Sequence, residues 1–185
     1  MQLSSPTKGN LLISEPFLFD PNFSRTVVLL SEHNEEGSVG FIINRLLNMD
    51  TEELVPGLLN HRFPVFYGGP VEPNTLHFIH TCGQVIPGAQ EITEGIYWGG
   101  DIDILSDLLN QKIVMPEECK FFVGYSGWTE GQLIEEIAAK AWWISDADAK
   151  TVFTDDLEDM WRRAVKNLGG DKSYLADAPL DPRWN

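Results

Sequence analysis

Two apolar runs separated by five polar residues restrict this chain more than any other feature. Residues 26–33 read Thr-Val-Val-Leu-Leu-Ser-Glu-His, and residues 39–45 read Val-Gly-Phe-Ile-Ile-Asn-Arg. Runs rich in β-branched and aromatic residues at this length are strands. The Asn-Glu-Glu-Gly-Ser segment between them, with glycine near its tip, predicts a hairpin. If His33 lies opposite Val39, then Val28, Leu30, Glu32, Ile42 and Asn44 share one face. Arg25, Val27, Leu29, His33, Phe41, Ile43 and Arg45 share the other. Both faces are apolar in the middle and polar at the ends. Such a hairpin must be covered on both sides, which places it at the centre of a fold.

A second stretch, residues 120–143, reads as a short strand, a turn bounded by Gly124 and Gly127, and an amphipathic helix. Leu133, Ile134, Ile137, Ala138, Ala141 and Trp142 recur at helical spacing. Thr129 and Gln132 have the spacing of a capping box, and Glu136 and Lys140 that of a solvent-side ion pair.

Residues 10–14 form a further expected strand. Residues 64–71 are expected to pair in antiparallel fashion with residues 75–81, and residues 50–55 to make a helical turn or two. Residues 83–94 read as loop or a weak edge strand. Asp101 is the candidate cap of a helix carrying Ile102, Leu105, Leu108 and Leu109. Residues 147–153 read as an extended piece, and Asp155 as the cap of a last helix over residues 156–168. Strands and hairpins come first and helices cluster late, which predicts an α+β fold with a single domain over residues 1–185. Its core spans about residues 9–169, and residues 170–185 form a surface tail.

Composition narrows the function. The 185 residues carry 28 acidic and 13 basic side chains, a formal charge of −15. Nucleic-acid binding rests on neutralising phosphates with Lys and Arg, and the densest basic group, Arg162, Arg163 and Lys166, follows four acidic residues. Direct nucleic-acid binding is therefore disfavoured. Cys82 and Cys119 form no C-x-x-C pair and fit a reducing cytoplasm. The first residues lack the pattern of a signal peptide, and apolar runs of five or six residues predict no membrane span.

Each candidate for chemistry has a bland counterpart. Gly124-Tyr125-Ser126-Gly127-Trp128 departs from the G-x-S-x-G nucleophile elbow at its last position, so Ser126 is expected to bond backbone. His77 and His80, three apart on a strand, point to opposite faces and cannot share a metal. Gly68-Gly69-Pro70 lacks the Lys-Ser/Thr of a phosphate loop and reads as a strand-ending turn or a close approach of backbones. The densest polar group is Arg25, Glu32, His33, Asn44 and Arg45. Arg25, His33 and Arg45 would hold a small anion if they converge, or form an internal network fixing loop ends if they do not. Tyr125 and Trp128 are the residues expected to face something outside the fold.

With these motifs in view, the chain resembles the YqgE/AlgH family of bacterial proteins. The resemblance runs from Gly9 to about Gly169. It rests on Asp20-x-x-Phe23-x-Arg25-x-Val27-Val28-Leu29-Leu30-x-Glu32-His33-Asn34, Gly37-x-x-Gly40-x-x-x-Asn44-Arg45, Gly68-Gly69-Pro70-Val71 and Gly124-Tyr125-x-Gly127-Trp128-x-x-Gly131-Gln132-Leu133. Ser31 stands where the family pattern has Cys, and Ile134 where it has Glu, so a cysteine-based redox role does not transfer. The resemblance implies a hairpin-rich, barrel-like curled mixed or antiparallel sheet flanked by helices. The family's biochemical activity is not established, and some relatives are labelled transcriptional regulators. The resulting expectation is a cytoplasmic, non-enzymatic binding or regulatory domain with a protein or small-molecule partner. It takes no cofactor and no metal. Its candidate site residues are Arg25, Glu32, His33, Asn44, Arg45, Tyr125, Ser126 and Trp128. An anion-binding protein or enzyme using Arg25, His33 and Arg45 is the alternative, and a DNA-binding regulator the third reading.

Overall fold

The computed structural model describes residues 5–52, 54–55, 57–58 and 63–179. Strands β1 (Asn10–Ser14), β2 (Val27–Asn34), β3 (Gly37–Ile42), β4 (Leu46–Asp50), β5 (Pro64–Tyr67), β6 (Val71–His80), β7 (Gln90–Thr93) and β8 (Ile96–Trp98) precede helix α1 (Ile102–Asn110). Strand β9 (Cys119–Thr129), helix α2 (Gln132–Ala138), strand β10 (Trp142–Asp146) and helices α3 (Ala149–Val152) and α4 (Met160–Asn167) follow.

The strands form one sheet in the order β10-β1-β2-β3-β9-β6-β8-β7, with β5 added to β9 and β4 to β5. Every pairing is antiparallel except β5 with β9. The sheet curls until its ends approach. The Lys8 ammonium donates to the Glu91 carbonyl at 2.8 Å, and Leu11 shares a core cluster with Ile92 and Ile96. This is the curled half-barrel of an α+β domain.

The central hairpin is covered on both faces, as its sequence demands. Val27, Leu29, Phe41 and Ile43 pack with Phe122 and with Met160, Trp161 and Val165 of α4. Val28, Leu30 and Ile42 pack with Leu133 and Ile137 of α2 and with Trp128 and Trp142. A third cluster sets Leu105 and Leu109 of α1 against Phe78 and Phe121. Asp101 caps α1 as expected, accepting from the amides of Asp103 and Ile104.

Several expectations are overturned. The register places His33 opposite Ser38 and Glu32 opposite Val39, with a bulge at Ser31 between the Leu30–Gly40 and Glu32–Val39 pairs. One extra residue reverses the side on which every later side chain emerges. Glu32 thus joins the Phe41 side and His33 the Leu30 side, the reverse of the assignment made for an unbulged strand. Residues 64–71 and 75–81 are not hairpin partners; β5 and β6 lie on opposite sides of β9. Their link, Gly68-Gly69-Pro70, crosses β9 so closely that a Cβ on Gly68 would stand 2.2 Å from the Gly124 carbonyl oxygen. The close backbone approach read from those glycines is therefore real, while the pairing is not.

The turn expected at Gly124–Gly127 is absent because β9 runs straight through it, with Gly124 (φ +68) absorbing the crossing. Helix α2 stops at Ala138, after which Lys140 (φ +65) turns the chain and Trp142 and Trp143 enter β10. Gly131, not Thr129, caps α2, although the Gln132 side chain still reaches back to accept from the Thr129 amide at 3.0 Å. Residues 149–152 are helical, capped by Asp148, rather than extended. Helix α4 begins at Met160, a turn later than expected. Residue 53 of the turn expected over 50–55 lies outside the described residues; the Val55 amide donates to the Thr51 carbonyl. The first part of the expected surface tail is a 3-10 helix, Gly170–Asp177, whose Ala176 is buried.

Candidate functional site

The β2–β3 hairpin projects a two-residue tip, Glu35-Glu36, beside the end of β9 and the start of α2. A cleft lies on each side of it. The first, about 480 Å³, is lined by His33, Ser38, Thr129, Glu130, Leu133 and Ile134, among others. The second, about 420 Å³, includes Glu32, Val39, Val71, Tyr125 and Trp128. Asn34, Gly37, Ser38 and Thr129 line both.

The reversal at Ser31 is what populates these clefts. It turns Glu32 towards Val71 and Tyr125, and His33 towards α2. His33 Nδ1 and the Ser38 hydroxyl are 2.7 Å apart across the hairpin. Glu32 accepts from the Asn34 side-chain amide at 3.0 Å, and Asn34 Oδ1 accepts from the Glu36 backbone amide at 2.8 Å. These contacts hold the tip in one shape. Gly37 permits it: at φ +147, a Cβ there would lie 2.3 Å from the Trp128 carbonyl oxygen. Neither cleft is lined by Lys or Arg, while Glu32, Glu35, Glu36 and Glu130 surround them. Ile134, half exposed, adds an apolar wall.

The other expected site residues are elsewhere or otherwise engaged. Arg25 precedes β2 and His33 lies near its far end, with the strand from Val27 to His33, about 20 Å long, between them. The Arg45 guanidinium donates to the carbonyls of Asn22 at 2.7 Å, Pro21 at 3.1 Å and Ser24 at 3.2 Å, fastening the loop before β2. Asn44 bridges the Val27 amide and the Arg25 carbonyl. Arg25, His33 and Arg45 therefore form no common anion site, and Arg45 and Asn44 fix loop ends as the internal network also weighed for this group does. Ser126 is fully buried and its hydroxyl donates to the Gly68 carbonyl at 2.9 Å, bonding backbone as expected.

Trp128 does not face outward as expected; it is buried, with Trp142 beside it in edge-to-face contact. Both indole N–H groups donate to Glu136, at 2.9 and 2.7 Å. Glu136 is thus turned inward rather than paired with Lys140, because two buried indole donors need an acceptor. Tyr125 is half buried and contributes to the second cleft. His80 is buried and neutral in character: its Nε2 lies 2.9 Å from the Gly99 carbonyl oxygen, and its Nδ1 accepts from the Cys82 amide. Burial lowers its pKa and that of His77. Among the described residues no cluster of His, Cys, Asp and Glu suits a metal ion. Nor is any described helix long and apolar enough to cross a membrane.

The family model described as AlgH-like matches residues 11–173. The chain belongs to the AlgH-like family. It is 45% identical over 177 residues to the UPF0301 protein CT0663 of Chlorobaculum tepidum, covering 96% of this chain and 95% of that one. It is 37% identical over 180 residues to a UPF0301 protein of Cytophaga hutchinsonii, covering 97% and 99%. The solution structure of the AlgH protein from Pseudomonas aeruginosa superposes with a TM-score of 0.72 at 31% identity, covering 97% and 98%. The crystal structure of DIP2367 from Corynebacterium diphtheriae shares the fold, with a TM-score of 0.80 at 18% identity over 95% and 94%. In this chain the curled sheet carries its two larger clefts at the hairpin tip. Ser38, Asn34 and Thr129 lay outside the candidate site residues read from sequence. The motif Gly37-x-x-Gly40 beside Glu32-His33 was the signal that pointed near them.

Proposed function

We propose that the chain is a non-enzymatic binding and regulatory domain of the cytoplasm that grips a basic segment of a protein partner at the β2–β3 tip. The observation that carries this reading is the pair of clefts sharing Asn34, Gly37, Ser38 and Thr129, ringed by four glutamates and walled by Ile134. Acidic rims favour lysine- and arginine-bearing segments, and the apolar walls take the residues between them. An effect on transcription would pass through such a partner, since −15 of formal charge opposes contact with DNA.

The test is fluorescence anisotropy of a short lysine- and leucine-rich peptide and of a duplex DNA with the purified chain. Saturable peptide binding that weakens with salt and with Glu32→Gln plus Glu36→Gln is expected, with no DNA binding. Duplex binding at low salt, or no peptide binding, contradicts it. So does turnover in a hydrolase panel that is lost on His33→Ala.

A further inference from the structure

Away from the hairpin tip, a hollow of about 260 Å³ lies where the start of β2 meets the start of α4. Arg25 and Asn44 line it from the strand side, and Leu157, Glu158, Trp161 and Arg162 from the helix side. Arg25 is unusual in three respects. Its backbone holds φ +52, a conformation costly for a residue with a Cβ, and the Asn44 side chain clamps it there by donating to the Arg25 carbonyl at 3.0 Å. Its guanidinium lies 4.8 Å over the Trp161 ring and donates to the Ala178 carbonyl, yet Nε is buried with no acceptor. Among the described residues no carboxylate comes within 4 Å of it, whereas Arg162 has Asp159 at 3.5 Å and Asp177 at 3.8 Å.

Glu158, on the same hollow, makes no ion pair among the described residues. Asp159 also lines the hollow and is paired with Arg162, while Arg25 and Glu158 have no ion partner among the described residues; Leu157 and the Trp161 indole add apolar surface. Burial of Arg25, and next to it the charge of Arg162, lower its pKa, which is the direction that a bound carboxylate reverses. The space is smaller than the roughly 300–1,000 Å³ of sites for drug-sized ligands, so its occupant is small.

We propose that this hollow binds a small zwitterion of the α-amino-acid class, its carboxylate on Arg25, its ammonium on Glu158 and its side chain against Leu157 and Trp161. A simple anion would meet the Glu158 and Asp159 carboxylates, and a simple cation would meet two guanidiniums. Only a ligand carrying both charges answers both walls. The site is independent of the hairpin clefts, so either can fail without the other.

The experiment is an NMR titration of the full chain with L-leucine, using acetate, inorganic phosphate and n-butylamine as partial ligands. The Trp161 indole N–H and the Arg162 side-chain N–H report. Leucine is expected to shift both saturably and to bind about tenfold more tightly than acetate or butylamine, each of which lacks one charge-assisted contact. Glu158 is exposed, so Glu158→Gln preserves the fold and should weaken leucine about tenfold without weakening acetate, which loses a repelling charge. Absence of saturable leucine shifts overturns the proposal. So does acetate or phosphate binding as tight as leucine, or a Glu158→Gln variant that binds leucine unchanged.

Discussion

Lys120 is the residue whose environment most opposes its charge. It is 6% exposed, lies 4.6 Å over the Phe66 ring, and among the described residues has only the Thr154 and Ile43 carbonyls, at 3.3 and 3.5 Å, as acceptors. Burial lowers its pKa to about 8, against a smaller opposing pull from Asp155. A lysine depressed on folding binds its proton less tightly in the native state than in the unfolded one. Its cost is then full below pH 8 and is relieved as the pH rises towards the unfolded value. Urea unfolding should show stability rising from pH 8 to 9. Above pH 9 the thiols of Cys82 and Cys119, which burial pushes up, work in the opposite direction, since the unfolded chain ionises first. Lys120→Met, which keeps the contact with Phe66, is expected to remove the rise and to add on the order of 2 kcal/mol at pH 7. Glu136 presents the opposite case, a carboxylate that is needed where it is. Glu136→Ala leaves the indole N–H groups of Trp128 and Trp142 without acceptors and should cost about 2–5 kcal/mol in the same measurement.

At the scale of elements, the crossing of β9 by Gly68-Gly69 is the tightest feature of the sheet. A Cβ on Gly68 or Gly69 would meet the backbone of Gly124 or Tyr125 at 2.2 or 2.3 Å, and backbone cannot step aside. Gly68→Ala is expected to cost on the order of 3 kcal/mol or more in chemical unfolding. Gly95→Ala, at φ +74 but in open space, should lose only about 1–2 kcal/mol. The contrast separates steric crossing from backbone strain. These two features also show what the residues could and could not reveal. The hairpin was legible because Val27, Leu29, Phe41 and Ile43 alternate with Val28, Leu30 and Ile42, a period that only a doubly covered strand pair satisfies. The bulge at Ser31 was not legible, because one unpaired serine leaves no mark on composition or period, yet it decides which cleft receives Glu32 and which His33. Likewise Gly68-Gly69 announced a close approach without naming its partner, since β9 lies some fifty residues further along. Trp142-Trp143 fits helical and strand patterns equally; pairing with β1 decided the matter. Arg45 looked available because the carbonyls that occupy it come from an irregular loop with no sequence signature.

For the whole molecule, the curl of the sheet buries both faces of the central hairpin and leaves its tip as the open polar–apolar surface. Glu32, Glu35, Glu36 and Glu130 ring that surface, so association with a cationic segment should be fast and sensitive to salt. Raising ionic strength from low to physiological values is expected to slow association more than it speeds dissociation, as stopped-flow fluorescence would record. The central claim is that binding occurs at this tip. Amide chemical-shift mapping with the lysine- and leucine-rich peptide tests it most directly. Shifts are expected to concentrate over residues 32–39 and 127–134 and to be abolished by Glu32→Gln with Glu36→Gln. Shifts that centre on α1 or the β7 edge, or no shifts at all, would contradict it.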